Sequence, residues 1–558
     1  MKTYYTKQYY TGKTAAHRRA VYKGMGFTDQ DLSRPLVAVV NTFSEVCPGH
    51  MHLQHLTQCV KNGIWQAGGT PMEFSTISQC ATQVLGLDGI RYDLPARELI
   101  GLDIETIVCT QLFDGLVIVT TCDKTIPGAF LAAARLDMPT VIVPGGIMDT
   151  GKISGCEVSL ADLDEKVFSG KVTDMPDEEV DMWENAVVPG CGACPIMGTA
   201  NTMQCLSEVL GVSLPGSATQ YAGTGEQWRL AKEAGYAIVR LIEKNITFSN
   251  VVTPEAMKNM VIAGMSFGAA SNSVLHMLAL SYEMGYEKTI NLDTIAELSG
   301  QTPCIVDVKP VGQYFLTDLQ NAGGMPAVMN AIKDKLDLQC IGISGKTAGD
   351  IAAMGEKLAM KPAIKHSNKS PSVIRNKNDP VMNQGGIVVL RGNLADSAVV
   401  RMFRHSKNKF TGKAIVFDNQ QSAMEAVARG NVKKGDVLVL RFMGPQGGPG
   451  MPDCFGVAGA VVGSGLEEDV AVITDGRFSG FARGVGVCQI NPEAAIGGPL
   501  ARVCNGDEIV IDTQEGLLMD TASDFNARKP VKPREHKEKG ILNIYARIAG
   551  QANSGARL

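Results

Sequence analysis

Three cysteines stand in loops where a thiolate could bind metal: Cys47 in "EVCPGH", Cys122 in "TTCDKTIPG" and Cys194 in "GCGACPIMG". Each precedes a stretch that reads as a helix. Cys47 and Cys122 also follow apolar runs that read as strands. In open α/β sheets, ligands bind outside the C-terminal ends of the strands. A helix N-terminus carries partial positive charge and favours the thiolate, the form that ligates metal. Three such loops could converge on one iron–sulfur cluster. Three protein sulfurs would leave one iron site open to a substrate oxygen. Read singly, a loop cysteine is more often an inert small side chain. Cys191 and Cys194 also form a CxxC, which could instead be a thiol–disulfide pair.

Asp123 and Lys124 follow Cys122 directly. A carboxylate there could hold Mg²⁺, which takes oxygen ligands. A lysine at a strand end is ordinarily ion-paired or snorkelling; carbamylated, it becomes an oxygen ligand. Two further loops lie late in the chain. "GPQGGPGMPD" ends on Asp453, and its glycines suit either close approach to a ligand or a rigid surface turn. "ITDGRFSG" presents Ser479 between Phe478 and Gly480, with Arg477 just before. It lacks the GxSxG spacing of a hydrolase elbow, and no histidine partner is evident. A serine activated by a metal cluster is the other reading.

The elements around these loops read as two regions. "RPLVAVVNTF" is a strand over 36–41, followed by a helix at about 50–67 and a further strand after Gly68-Gly69. "GLVIVTT" repeats the pattern as a strand over 115–121, with a helix from Pro127 and a strand over 140–144. Alternating strand and helix predicts βαβ units and a parallel sheet. Residues of about 220–365 are mostly helical by pattern. The polar stretch "KHSNKSPSVIRNKNDPVMNQGG" marks a boundary. We therefore expect an α/β domain over 1–375 and a β-rich, barrel-like domain over 376–558. Short strand-like runs support the latter: "GIVVLRG", "KAIVFD", "GDVLVLRF", "DVAVITDG" and "DEIVIDT". "EKGILNIYARIAG" reads as a closing helix.

Composition narrows the class. A chain of 558 residues is too long for one core. A net charge of −5 argues against a general nucleic-acid or anionic-membrane binder. No apolar run reaches transmembrane length, the longest candidate being the glycine-rich Cys454–Leu466. The N-terminal residues lack an apolar signal core, so a cytoplasmic enzyme is expected. The 14 cysteines are then mostly free thiols, with Cys59, Cys109 and Cys205 as small core residues.

Long motifs carry a family resemblance: "HRRAVYKGMGFTDQDLSRPLVAVVNTFSE", "PGHMHL", "YDLPARELI", "TTCDKTIPG", "GCGACPIMGTANTMQCLSEVLGVSLPG", "RFMGPQGGPGMPD" and "ITDGRFSGFARGVGVCQINPEAA". Nearly end to end, the chain resembles the family of dihydroxy-acid, 6-phosphogluconate and sugar-acid dehydratases. The resemblance implies an α/β domain carrying an iron–sulfur cluster, [2Fe-2S] or [4Fe-4S], closed by a barrel-like domain, in a homodimer or homotetramer. It implies a hydro-lyase that takes water from a 2,3-dihydroxy carboxylate to give a 2-keto acid. A cluster iron would act on the C3 hydroxyl, and Mg²⁺ on the carboxylate and C2 hydroxyl. Carried across, Cys122 and Cys194 are cluster ligands, with Cys47 as the third candidate. Asp123, carbamylated Lys124 and Asp453 are the Mg²⁺ ligands. Ser479 is the base, Lys124 a further catalytic candidate, and Arg477 and Gly480 substrate contacts.

Departures from the family pattern cluster on the metal and substrate side. Gly49 stands where the first cysteine often lies, with Cys47 two residues earlier. Ala81 replaces a usual acidic Mg²⁺ ligand, Asp453 and Met443 replace glutamates, and Ala482 replaces a threonine. On these grounds a sugar acid is slightly favoured over a branched-chain dihydroxy acid. Two other readings stand beside the dehydratase: a redox or sensor protein using Cys191 and Cys194, and a non-catalytic member that binds a small acid.

Overall fold

The computed structural model describes residues 4–359, 372–533, 535 and 537–558. The N-terminal sheet is built from β1 (Leu36–Asn41), β2 (Thr70–Ser75), β3 (Gly115–Thr120) and β4 (Thr140–Pro144). All pairs are parallel, in the order β2-β1-β3-β4. Strands β1, β3 and β4 are buried throughout, as continuous apolar runs in a covered parallel sheet should be. Helix α1 (Leu53–Gln66) joins β1 to β2, α2 (Asp93–Gln111) precedes β3, and α3 (Thr125–Leu136) joins β3 to β4. Helix α3 starts two residues before Pro127, because Thr125 Oγ1 and the Ile126 N–H both donate to the Cys122 carbonyl. Helix α4 (Thr199–Val209) and helix α5 (Gly225–Lys244) follow. Helices α1 and α5 cross closely: a Cβ at Gly63 would strike the Lys232 carbonyl, and one at Gly235 the Val60 carbonyl.

The chain order places a switch point between β1 and β3, where connections depart to opposite sides. The loops after these two adjacent strands open into one crevice.

The C-terminal region is a closed eight-stranded barrel, larger than the five strand-like runs suggested. Its strands are β5 (Ile387–Gly392), β6 (Ala395–Arg401), β7 (Lys409–Phe417), β8 (Asp436–Leu440), β9 (Ala471–Thr474), β10 (Val485–Asn491), β11 (Glu508–Asp512) and β12 (Leu517–Asp520). They close in the order β8-β9-β10-β6-β5-β12-β11-β7. Strand β8 shows why its sequence is apolar on both faces. Val437 and Val439 fill the barrel, while Leu438 and Leu440 join the main core outside it. The glycine-rich run after Cys454 is a buried helix, α6 (Phe455–Gly463), packed on Phe168 edge to face with ring centroids 5.5 Å apart. The closing helix is α7 (Gly540–Ile548).

Of the polar stretch read as a boundary, residues 365–371 lie outside the described residues. The rest is strapped to the α/β region: the Arg375 N–H donates to the Ile305 carbonyl, and the Arg375 guanidinium pairs with buried Asp307 at 2.7 Å. Two cysteine assignments need adjustment. Cys205 is buried as expected, but Cys109 is exposed on α2 and Cys59 only half-buried. Among the described residues, no helix is long and apolar enough to cross a membrane.

Candidate functional site

The loops after β1 and β3 bring Cys47 and Cys122 together, with their Sγ atoms 3.5 Å apart. His50 locks this pair. Its Nδ1 donates to the Thr42 carbonyl at 2.6 Å, and its Nε2 accepts the Cys122 N–H at 3.3 Å. Both ring nitrogens are therefore spent on backbone, and burial lowers the His50 pKa to about 4. His50 lies near enough to Cys47 and Cys122 to suggest a three-ligand metal site. Its bonds instead make it a neutral support for the Cys122 loop.

The Cys194 loop reaches the same place. The Gly192 N–H donates to the Pro48 carbonyl, and the Met148 N–H to the Ala193 carbonyl. Asn201 in α4 donates to the carbonyls of Cys194 and Ile196 at 2.5 and 2.9 Å. A fourth cysteine completes the group. Cys80 follows β2, hydrogen-bonds Cys47, and lines the same cavity as Cys47, Cys122 and Cys194. Cys191 does not line that cavity; its thiol lies near Gly223.

Gly49 explains the displaced first cysteine. A Cβ there would sit 2.8 Å from Cys122 Sγ and 3.6 Å from Cys47 Sγ. A side chain at 49 would collide with the Cys122 thiol, and the Cys47 thiol lies beside the same space. The helix N-termini do not lower these thiols as the sequence suggested. The hydrogen bond with Cys122, and burial, push Cys47 well up; the hydrogen bond with Cys47, and burial, push Cys80 well up; and burial raises Cys194 to about 12. Burial outweighs the helix end, and a bound cation is what would stabilise the thiolates.

Beside the thiols lies an oxygen-rich cluster. Lys124 is fully buried, and its Nζ lies 2.5 Å from Asp123 and 2.8 Å from Asp93. Arg477, equally buried, reaches Asp93 at 2.5 Å, Asp453 at 3.4 Å and the Met451 carbonyl at 2.8 Å. Arg477 is thus held by two carboxylates and does not line the cavity, whereas Asp123, Asp453, Ser479 and Gly480 do. Burial raises the Asp453 carboxyl to about 6 against the pull of Arg477 and Lys124. Burial and neighbouring Asp93 also raise Asp123. Burial alone would raise Asp93, but Lys124 and Arg477 hold it below the ordinary range.

Ser479 stands on the loop after β9, its Oγ accepting the Phe481 N–H at 3.3 Å. A Cβ at Gly480 would strike Gly198 and the Thr199 nitrogen, so the glycine lets the barrel loop rest on the start of α4. Arg401, from β6, staples the seam: it donates to the carbonyls of Gly480, Met197 and Gly268 at 2.6–2.8 Å. "GPQGGPGMPD" is not an exposed turn, and its last residue, Asp453, lines the cavity. Residues of this loop are mostly buried, and Glu493 accepts the N–H groups of Gln446 and Gly447.

The cavity between the thiols and Ser479 measures about 100 Å³. Its remaining wall is largely apolar, with Leu85, Met148, Leu160, Val188 and Phe481. Met443 and Ala482 are buried but not on this wall; Ala81 and Asp453 are on it.

Sequence reasoning missed Asp93, Cys80, His50 and Arg401. Cys80 had a usable signal, since it follows a parallel strand as Cys47 and Cys122 do. Asp93 opens α2 and reads as an ordinary helix-start acid.

Residues 34–351 match the N-terminal model of the dihydroxy-acid/6-phosphogluconate dehydratases, and residues 372–556 match the C-terminal one. The chain is 42% identical to a dihydroxy-acid dehydratase of Acetivibrio thermocellus, 39% to one of Pyrococcus abyssi and 41% to one of Ruminiclostridium cellulolyticum. Each alignment covers 98% of both chains. With both halves matched and relatives aligned throughout, the chain belongs to the dihydroxy-acid/6-phosphogluconate dehydratase family, a family of hydro-lyases.

Proposed function

We propose that the protein dehydrates a 2,3-dihydroxy carboxylate with an apolar tail to the 2-keto acid. The observation that carries this reading is the single cavity with thiols at one side, carboxylates and Ser479 at the other, and an apolar wall. No lysine or arginine is among its lining residues, so a phosphate would find no counter-charge there. The hydroxyls of a sugar acid would meet Leu160, Val188 and Phe481 without hydrogen-bond partners. The lean toward a sugar acid drew on Ala81, Asp453, Met443 and Ala482, of which Met443 and Ala482 are off the wall. The names of the relatives point the same way.

The residues fit the implied cofactors by donor chemistry. Soft thiolates suit iron–sulfur, and carboxylates suit Mg²⁺. Cys47, Cys122 and Cys194, with Cys80 beside them, would hold the cluster. Asp123, Asp453 and Lys124 as its carbamate would hold Mg²⁺. When bound, these groups supply Lewis acidity at the leaving C3 hydroxyl and stabilise charge developing toward the enolate. Ser479, as the alkoxide, takes the C2 proton onto Oγ, and the Phe481 N–H donates to that oxygen. Arg477 keeps Asp93 and Asp453 in place. The apolar wall excludes water from the enol until it tautomerises to the ketone.

Three coarser readings belong with this one. The boundary near residue 375 is supported by the two family matches, which end at 351 and begin at 372. A homodimer or homotetramer is supported by exposed Val46, Met51, Leu87 and Tyr92 on loops around the thiols. A cytoplasmic setting accords with 14 free cysteines.

Anaerobic turnover with Mg²⁺ tests the reading, with 2-keto acid trapped as its semicarbazone. The panel is branched-chain dihydroxy acids, pentonates, hexonates and 6-phosphogluconate. Product from the branched-chain acids alone is expected. Product from a sugar acid or its phosphate would overturn the substrate assignment. Binding without product, by protein with its cluster intact, would favour the non-catalytic reading.

A further inference from the structure

We propose that Asp93 stands in for the carboxylate missing at residue 81, joining Asp123 and Asp453 in holding the divalent cation. The inference rests on the cation-dependent dehydratase reading above. Ala81 lies on the cavity wall but brings no donor atom. Asp93 belongs to a different element, the first residue of α2, yet it touches the same segment. Gln79, two residues before Ala81, reaches the Asp93 carbonyl at 3.4 Å and its Oδ1 at 3.5 Å through Nε2. The Gln79 Oε1 is buried and has no hydrogen-bond partner among the described residues, an acceptor turned toward no donor.

The position of Asp93 is costly without a further role. Its side chain is 1% exposed, and its carboxylate bonds Lys124, Arg477 and Gln79. One buried ion pair would satisfy Arg477. Here three carboxylates, Asp93, Asp123 and Asp453, share two cations, Lys124 and Arg477. One negative charge is left over in a nearly dry site, and carbamylation of Lys124 would remove a cation and add to that excess, an arrangement that disfavours itself unless another cation enters. A divalent cation beside Asp123 would offset that charge. The carboxylate has in effect moved 12 positions along the chain, from Ala81 on the wall to Asp93, where it contacts Lys124 and Arg477.

The probe is Mn²⁺ binding to magnesium-free protein carrying its cluster, read by the EPR signal of free Mn²⁺. Asp93→Asn should weaken binding by about tenfold or more, and Ala81→Asp added to it should bring affinity back to within about threefold of the parent. Ala81→Asp alone leaves the Lys124 and Arg477 pairs untouched, so it is readable even if Asp93→Asn fails to fold. It should change affinity by less than about threefold, because the cation already has its carboxylate. A gain of about tenfold from Ala81→Asp alone would show that the parent is one ligand short, and would overturn the proposal. So would folded Asp93→Asn protein that binds Mn²⁺ as the parent does, which would leave Asp93 as a counterion to Arg477. A parent protein that binds no Mn²⁺ would overturn the cation site itself, and the proposal with it.

Discussion

The sulfur side and the oxygen side of the site are assembled differently. Cys47, Cys80, Cys122 and Cys194 all come from the α/β region, on loops held by that region's own backbone bonds. The carboxylate side needs both regions: Asp93, Asp123 and Lys124 from one, Asp453, Arg477 and Ser479 from the other. Geometry of the thiols therefore depends on local loop structure. Geometry of the carboxylates depends on the barrel being seated, through Arg477 and the Arg401 staple. The comparison teaches that cluster loading and catalysis should be separable by mutation.

The sharpest break is on the sulfur side. Cys122→Ser should abolish iron–sulfur absorbance and turnover together, because Cys122 is central to the thiol group and supported by His50. Cys191→Ser, off the cavity, should leave both unchanged. The reverse pattern would return the redox reading of the CxxC. On the oxygen side, Ser479→Ala should cost about 10²–10⁴-fold in turnover, the range for a lost general base. Iron–sulfur absorbance and Mn²⁺ binding should persist in that variant. If the absorbance vanishes as well, the two sides are not separable.

Next in size is the seam. Arg477→Leu leaves Asp93 and Asp453 without their shared cation in a buried site. Breaking a buried pair from one side costs about 3–5 kcal/mol, read here as a lower urea midpoint. A loss of about 1 kcal/mol or less, typical of an exposed pair, would mean that the barrel is seated by other contacts.

How much of this was legible in the sequence follows the same division. The parallel strands and the Cys47 and Cys122 loops were readable because buried parallel strands are continuous apolar runs, and their ends are predictable ligand positions. Strands β6, β10 and β12 escaped notice. β6 carries buried polar and charged residues, Ser397 and Arg401, that interrupt an apolar pattern. Arg401 and Asp93 were illegible for a shared reason. The charged partners of Asp93 and the carbonyls that Arg401 holds are distant in sequence, and only the folded chain brings them within reach. Local spacing says nothing of such pairs. Cys80 differs, since the rule that found Cys47 applies to it equally.

The smallest effect tests whether the sulfur side carries stability that is independent of chemistry. Glu208 lies in α4, the helix after the Cys194 loop, and accepts the N–H groups of Gly216 and Ala218 at 2.7 and 2.9 Å. Burial raises its pKa to about 7, with those N–H bonds pulling the other way. An unfolded glutamate titrates near 4.3, at about its ordinary value. Between these two values the folded state binds the extra proton, so this contribution is full at low pH and is lost as pH rises through about 7. Glu208→Gln cannot titrate. Its urea-unfolding free energy should therefore fall less than the parent's between about pH 5 and about pH 8. The pH profile of kcat should be unchanged, because Glu208 is not on the cavity wall. An equal slope in parent and variant would show that Glu208 is already ionised across that range, and that backbone hydrogen bonds outweigh its burial.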